Sequence, residues 1–114
     1  MLRSDDRRRV IFNGQEPMIF KIKMSFYRFE NGGRKSIPLL KAECYRPHLR
    51  IAGNDEYLGV VFMDGDVNDT GRPFFAEIRT LYENVDYSDL TPGACFHIME
   101  GARIVGEGTV ICMK

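Results

Sequence analysis

The sequence predicts an all-β domain, either an antiparallel barrel or a sandwich, and three observations support this prediction. Apolar residues recur at every second position in several short segments, which is the period of a strand with one buried face. Turn-forming segments rich in Gly, Asn, Asp and Pro separate these strands at short intervals. No stretch has a convincing helical period. A length of 114 residues suits one domain with one core.

The first predicted strand, 18–27, has the clearest alternation in the chain. Apolar side chains occupy every even position from Met18 to Phe26, and the polar residues Lys21, Lys23 and Ser25 lie between them. The Asn-Gly-Gly run at 31–33 follows, and these residue types accept a positive φ at low cost. We therefore expect the chain to turn there, in a hairpin or in a longer connection to another strand.

The later strands are predicted from shorter runs of β-branched and aromatic residues. Residues 43–51 indicate a strand in which Pro47 must lie at an edge, a bulge or a bend, because proline cannot donate to a ladder. We predict the remaining four strands at residues 57–63, 74–82, 94–100 and 103–113. The total of six or seven short strands is typical of a barrel or a sandwich.

Glycine occupies positions 101, 106 and 108. A dinucleotide fingerprint would need a third spaced glycine and a following helix, whereas strand-forming residues follow Gly108. We expect Glu100 and the first glycine to form the tight turn between the last two strands. The other two glycines would lie on one face of a strongly bent barrel strand. There they would leave room for a bulky neighbour such as Phe20 or Phe62.

The charge balance argues against a general affinity for nucleic acid. Sixteen Lys and Arg residues balance sixteen Asp and Glu residues, so the chain lacks the basic field usual in such proteins. The basic cluster 7–9 is expected to be a solvated part of an N-terminal extension, 1–16, that is partly disordered. The barrel domain is predicted to span 17–114.

Compartment and redox state are predicted from what the sequence lacks. It has no long apolar run and no secretory signal at its start, so we expect a cytoplasmic protein without a membrane span. The cysteines at 44, 95 and 112 have no Cys-x-x-Cys spacing. We expect three buried, reduced thiols rather than a disulfide framework or a zinc site.

An acidic segment at 64–71 partly matches a calcium-binding loop. Asp64, Asp66 and Asn68 reproduce the first three ligand positions. However, Asp69 stands where glycine is needed for the sharp turn, and Phe75 stands where the bidentate glutamate belongs. We expect an ordinary acidic turn, with calcium binding left open.

No catalytic constellation is recognisable in the sequence. The two histidines, His48 and His97, belong to no local catalytic signature. His97 alternates with Phe96 and Ile98, so its side chain is expected to point away from theirs. His48 follows a proline and is expected at an exposed strand bend. We therefore predict a protein without enzymatic activity and without a cofactor.

Two stretches resemble the third, C-terminal domain of elongation factor Tu. The segment 32–51, GGRKSIPLLKAECYRPHLRI, is similar to the part of that domain where a Gly-Gly-Arg hairpin leads through a proline to a Tyr-Arg-Pro-Gln strand. The segment 96–110, FHIMEGARIVGEGTV, is similar to its closing hairpin, with the pattern Phe-Ala-Ile-Arg-Glu-Gly-Gly-Arg-Thr-Val-Gly-Ala-Gly-Val-Val. Their order and separation agree with the family, and the resemblance extends over 17–114.

The resemblance implies a six-stranded antiparallel β-barrel. In that family the domain packs on the second domain and contacts the T-stem of aminoacyl-tRNA through the glutamine of the Tyr-Arg-Pro-Gln strand and through the closing hairpin. By position these contacts fall on His48, Glu100 and Gly101, with Arg46 and Arg103 as matched neighbours. These five residues are the candidate partner-binding or RNA-binding site that the resemblance implies.

Several residues of this sequence differ from the family pattern, and these differences change which functions we expect. His48 replaces the tRNA-facing glutamine, Met99 replaces the arginine before the closing turn, and Ala102 replaces the second glycine. The guanine-nucleotide domain has no counterpart in the sequence, so we expect no GTPase activity. Because phosphate contacts depend on cations, losing one from the hairpin of a chain with balanced charge makes RNA a weaker candidate ligand.

Three functional hypotheses follow from the resemblance and its departures. The first is a stand-alone, non-catalytic binding module that acts through protein–protein contact, with a translation component as a candidate partner. The second is a protein that binds a tRNA stem or other structured RNA through Arg46, His48 and Arg103. The third is a cytosolic immunity protein that neutralises a toxin.

Overall fold

Six antiparallel strands close into a barrel in the computed structural model, which describes residues 16–67 and 69–114. The strands are β1 (Ile19–Phe26), β2 (His48–Ile51), β3 (Leu58–Gly65), β4 (Phe74–Thr80), β5 (Cys95–Glu100) and β6 (Arg103–Met113). The predicted all-β class and the six-stranded antiparallel barrel are confirmed. Of the predicted N-terminal extension, only Glu16 lies within the described residues.

The strand order around the barrel is β1-β4-β3-β2-β5-β6, and β6 pairs with β1 to close it. Along this closing seam Phe26 lies opposite Gly106 and Phe20 lies opposite Met113. A register shift interrupts the seam between Lys21 and Ile22. Every pair of neighbouring strands is antiparallel. Successive side chains of a strand point to opposite faces, so alternate residues are directed to the barrel interior.

The core fills the barrel interior with side chains from all six strands. On β1 the even-numbered residues from Phe20 to Phe26 are buried, as their alternation predicts. The Phe26 ring packs against Tyr45 and Phe74, with each pair of ring centroids 5.9 Å apart. Aromatic contacts of this kind add to the free energy gained from burying the rings. The interior is therefore a packed core.

A long connection, and not a hairpin, joins β1 to β2. It contains a single-turn 3-10 helix, Phe29–Asn31, and the predicted Asn-Gly-Gly turn lies at its end. The strand predicted at 43–51 is assigned only from His48 onward, because Pro47 interrupts the ladder. Nevertheless the carbonyls of Tyr45 and Pro47 accept hydrogen bonds from the Phe62 and Val60 amides of β3. The chain before β2 therefore already runs beside β3.

Of the closely spaced glycines, Gly101 lies in the last hairpin turn, and Gly106 and Gly108 lie along the closing seam between β1 and β6. Gly101 has a φ of 62°, which favours glycine, in the turn between Glu100 and Arg103. A Cβ at position 106 would come within 2.6 Å of the Ser25 carbonyl oxygen. At position 108 it would meet the Lys23 carbonyl, Phe96 and Met24. The predicted bulky neighbour is present at Gly108, but it is Phe96 and not Phe20 or Phe62. At Gly106 the backbone of β1 occupies the space.

The prediction of buried thiols is also wrong, since Cys44, Cys95 and Cys112 are all exposed. Cys44 lies in the turn before the start of β2. Cys95 pairs with Thr109 on the outer face of the sheet, while the next residue, Phe96, points inward. Strand alternation therefore turns the Cys95 thiol toward solvent although cysteine as a residue type favours burial.

Candidate functional site

The two stretches that form the predicted site meet at one end of the barrel. The Glu100 carboxylate at the end of β5 accepts hydrogen bonds from the Tyr45 hydroxyl and from the Arg34 guanidinium, both at 2.5 Å to Oε2. The Arg34 guanidinium also lies 5.5 Å from the centroid of the Tyr45 ring, within cation–π range. Glu100 is therefore held in a network that joins the long connection to the closing hairpin.

Arg103, at the start of β6, is directed toward the same connection. Its Nε donates to the Gly32 carbonyl at 3.2 Å, and one terminal nitrogen donates to the Gly33 carbonyl at 2.5 Å. Gly101 is exposed at the tip of the hairpin. Glu100 and Arg103, two of the five predicted site residues, thus use their side chains to anchor the hairpin to the connection between β1 and β2.

Burial and the Glu100 network favour the neutral form of Tyr45. Loss of hydration raises the pKa of the Tyr45 phenol, and the hydrogen bond to the Glu100 carboxylate raises it further. The neighbouring Arg34 cation lowers the pKa of Tyr45 by a smaller amount. The phenol therefore remains a hydrogen-bond donor to Glu100 throughout the neutral pH range.

The other two predicted residues, Arg46 and His48, share a different surface with Arg50. Along 45–50 buried and more exposed residues alternate, with Tyr45, Pro47 and Leu49 buried. The side chains of Arg46, His48 and Arg50 consequently project together from the outer face. The Arg46 side chain makes one hydrogen bond, from Nε to the Glu43 carbonyl at 3.3 Å.

Two tyrosines flank this row of basic side chains. The Tyr57 ring lies 5.7 Å from the His48 ring, centroid to centroid. His48 pairs with Gly59 of β3, and a Cβ at Gly59 would come within 2.2 Å of the Tyr82 ring. Tyr82 therefore lies over the strand position beside His48.

We call this surface the β2 face, and its members are Arg46, His48, Arg50, Tyr57 and Tyr82.

The buried Tyr87 fixes the backbone at the edge of the β2 face. The Tyr87 hydroxyl donates to the Gly59 carbonyl at 2.5 Å and accepts from the Leu81 and Tyr82 amides, each at 3.3 Å. The backbone that carries Tyr82 is thereby fixed against β3, although the Tyr82 ring itself is exposed.

A separate open groove of about 340 Å³ lies on the outer face of β1, β5 and β6. His97 lines it and projects outward between the buried Phe96 and Ile98, as predicted. Across the sheet His97 pairs with Arg50 on one side and Glu107 on the other. Within the described residues no group of three or more His, Cys, Asp or Glu side chains is arranged to hold a metal ion.

The predicted calcium loop is only partly described, because Asn68 lies outside the described residues. The Asp64 carboxylate accepts a hydrogen bond from the Gly65 amide at 2.9 Å and lies 3.6 Å from the Lys41 ammonium. Asp64 thus lies near the end of β3, and its carboxylate faces a lysine of the connection between β1 and β2. Calcium binding stays an open question for this segment.

No protein-family model and no curated protein matches this chain. Among residues 16–67 and 69–114, no helix is long and apolar enough to cross a membrane. The fold and the surface chemistry therefore carry the functional argument.

Sequence reasoning identified two members of the β2 face and missed three. Arg50 could have been found, because it continues the alternation that starts at Arg46. Tyr57 and Tyr82 could not, since their proximity to His48 depends on the β2–β3 register and on the path of the chain after β4. Nothing in the local sequence around either tyrosine indicates that contact.

Proposed function

We propose that this chain is a non-enzymatic binding module that acts through protein–protein contact at the β2 face. Two stretches of the sequence resemble the third domain of elongation factor Tu, and translation components are the first partners to test. Arg46 and His48, which the resemblance identifies as binding positions, belong to this face. Glu100 and Arg103 lie outside this face and anchor the closing hairpin to the connection between β1 and β2.

One observation carries the proposal: two exposed tyrosines lie beside a row of outward-facing basic side chains, Arg46, His48 and Arg50. The exposed fractions are 39% for Tyr57 and 48% for Tyr82. Tyrosine and arginine are the residue types enriched at the centres of protein interfaces. The Tyr87 hydrogen bonds hold the backbone at Tyr82 in place, which lowers the entropy lost when a partner binds.

The contact between the two segments supports the resemblance on which the partner class rests. Segments 32–51 and 96–110 carry the sequence similarity. They meet through the Arg103 contact to Gly33 and through the Glu100 contact to Tyr45. A hairpin and a connection that pack on each other are the expected arrangement if both derive from one ancestral domain.

RNA binding receives less support from the same geometry. Arg103 directs two of its nitrogens to backbone carbonyls, which leaves fewer of its N–H donors for phosphates. The Arg34 cation is paired with Glu100. With sixteen basic and sixteen acidic residues in the chain, counterion release would be limited to a local patch.

The test is affinity capture from the native cell lysate by the full-length chain, with and without nuclease. A variant with Tyr57→Ala and Tyr82→Ala removes the aromatic part of the β2 face. Phe75→Ala is the matched control, because Phe75 is 50% exposed on the outer face of β4. We expect a captured protein that survives nuclease, is lost with the tyrosine variant and is retained with the control.

Two outcomes would contradict the proposal. Capture that disappears after nuclease treatment would identify RNA as the ligand. If the tyrosine variant and the Phe75 variant capture the partner equally well, the β2 face is not the binding surface. Circular dichroism of each variant must match that of the wild-type chain, so that loss of binding is not loss of fold.

A further inference from the structure

We propose that the β2 face binds an extended, acidic protein segment whose carboxylates occupy alternate positions. This inference rests on the proposed function, because it specifies the chemistry of the partner at the same surface. Arg46, His48 and Arg50 would face the carboxylates. Tyr57 and Tyr82 would contact the segment from the sides.

The first reason for this inference is the spacing of the basic side chains. Residues 45–50 alternate between the interior and the outer face, so Arg46, His48 and Arg50 are two residues apart along extended backbone. Extended chain rises about 3.3 Å per residue, which places successive outward side chains about 6.6 Å apart. Side chains at alternate positions of an extended partner have the same repeat. A segment with a carboxylate at every second residue therefore matches this row.

The chemistry of the cations is the second step. Arginine presents a planar fork of N–H donors that fits a carboxylate with two parallel hydrogen bonds. Among the described residues, the Arg46 side chain makes a single hydrogen bond, through Nε. None of the ion pairs formed within residues 16–67 and 69–114 involves Arg46 or Arg50. Within this part of the chain, no carboxylate is paired with either guanidinium group.

Two carboxylates near the row already have partners: Glu43, three residues before Arg46, and Glu100, which follows the residue that pairs with His48. The Glu43 carboxylate accepts two hydrogen bonds from Arg79, at 2.9 and 3.1 Å. The Glu100 carboxylate is occupied by Arg34 and Tyr45. Because these contacts occupy both carboxylates, Glu43 and Glu100 do not compete strongly for Arg46 and Arg50.

A pair of outward-facing lysines on β1 forms an alternative surface for an acidic segment, but it is less suitable than the β2 face. Lys21 and Lys23 have the same two-residue spacing on β1, and both ammonium groups lie near the exposed Phe75 ring, at 5.0 and 5.9 Å from its centroid. However, Lys21 shares its groove with Asp64, Asp66 and Glu77. Lys41 and Lys114 pair with Asp64 and Glu77, but none of the ion pairs among the described residues involves Asp66. An acidic segment would therefore meet one like charge there, and such a contact opposes binding.

The experiment is an NMR titration of the uniformly ¹⁵N-labelled full-length chain with a synthetic decapeptide of alternating Glu and Ser. The same peptide with Gln in place of Glu is the probe control. We expect chemical-shift changes concentrated at 46–50, Tyr57 and Tyr82 with the Glu peptide only. The affinity should fall as salt is added, because exposed ion pairs are screened.

Charge reversal identifies the cations responsible. The double variant Arg46→Glu with Arg50→Glu should bind the Glu peptide at least about tenfold more weakly, since two exposed ion pairs are replaced by repulsion. The matched control, Lys21→Glu with Lys23→Glu, changes the net charge equally and should stay within about twofold of wild type. If charge reversal unfolds the chain, Arg46→Gln with Arg50→Gln provides the same comparison with smaller expected loss.

Three results would overturn the inference. The first is the absence of shifts at the β2 face at peptide concentrations that saturate other sites. The second is an equal loss of affinity in the two charge-reversed variants. The third is binding of a single-stranded RNA decamer at this face without binding of the Glu peptide. If the lysate partner needs the tyrosines yet tolerates reversal of the arginines, the proposed function stands and the acidic partner does not.

Discussion

Replacing Gly106 with alanine should destabilise the barrel at its closing seam. An added Cβ would lie 2.6 Å from the Ser25 carbonyl oxygen and 3.4 Å from the Phe26 Cα. Both atoms belong to the backbone of β1, which is paired with β6 at this point. The clash can therefore be relieved only by moving one strand relative to the other, and not by rotating a side chain.

The expected loss can be worked out from two opposing terms. Overpacking a well-packed site costs about 1–3 kcal/mol. Replacing glycine by alanine restricts the unfolded chain and returns about 0.4–1 kcal/mol. The net decrease in the free energy of unfolding should be about 1–2 kcal/mol, which lowers Tm by about 4–8 °C at about 4 °C per kcal/mol.

The assay is urea unfolding and thermal unfolding followed by circular dichroism, with Gly59→Ala as the matched control. A Cβ at Gly59 would collide even more closely, at 2.2 Å, but with the ring of Tyr82. That ring is exposed and can swing aside, so Gly59→Ala should stay within about 1 kcal/mol of wild type. The reasoning is refuted if Gly59→Ala loses as much stability as Gly106→Ala, or if Gly106→Ala loses none.

Tyr45→Phe removes the hydrogen bond donated to Glu100 and should cost about 1–2 kcal/mol in denaturant unfolding; unchanged stability would contradict the network. Because the pKa of Tyr45 is raised on folding, wild-type stability should decrease as pH rises above about 10, and less so in Tyr45→Phe. Arg103→Ala should speed hydrogen exchange of the Gly33 amide, measured by NMR, and unchanged exchange would rule out this anchor. All three cysteine thiols should react with Ellman's reagent without denaturant; protected thiols would contradict their exposure.

Strand positions were predictable because alternation is a local property of the sequence. The strand predicted at 18–27 is observed at Ile19–Phe26, and that predicted at 103–113 is observed with the same bounds. Each strand has a face that must be buried, and this requirement can be recognised within a few residues. The barrel class followed because several such strands occur without helical segments between them.

Features that depend on long-range pairing were not predictable to the same degree. The Asn-Gly-Gly run permitted either a hairpin or a longer connection, and the choice was set by β1 pairing with β4 and β6. Cysteine burial was predicted from the lack of a disulfide or zinc spacing, whereas strand register places Cys95 on the outer face. The β2 face likewise depends on the register of β2 against β3, so its aromatic members had no local signal.

The seam between β1 and β6 has a consequence for how the molecule reaches its native state. The strands that complete the cylinder are the first and last of the described chain, so their contact requires closure of the largest loop in the fold. Topologies dominated by distant pairing fold slowly, in about milliseconds to seconds. Until the seam forms, β1 and β6 both expose unpaired edges, which makes this stage the one most open to intermolecular association.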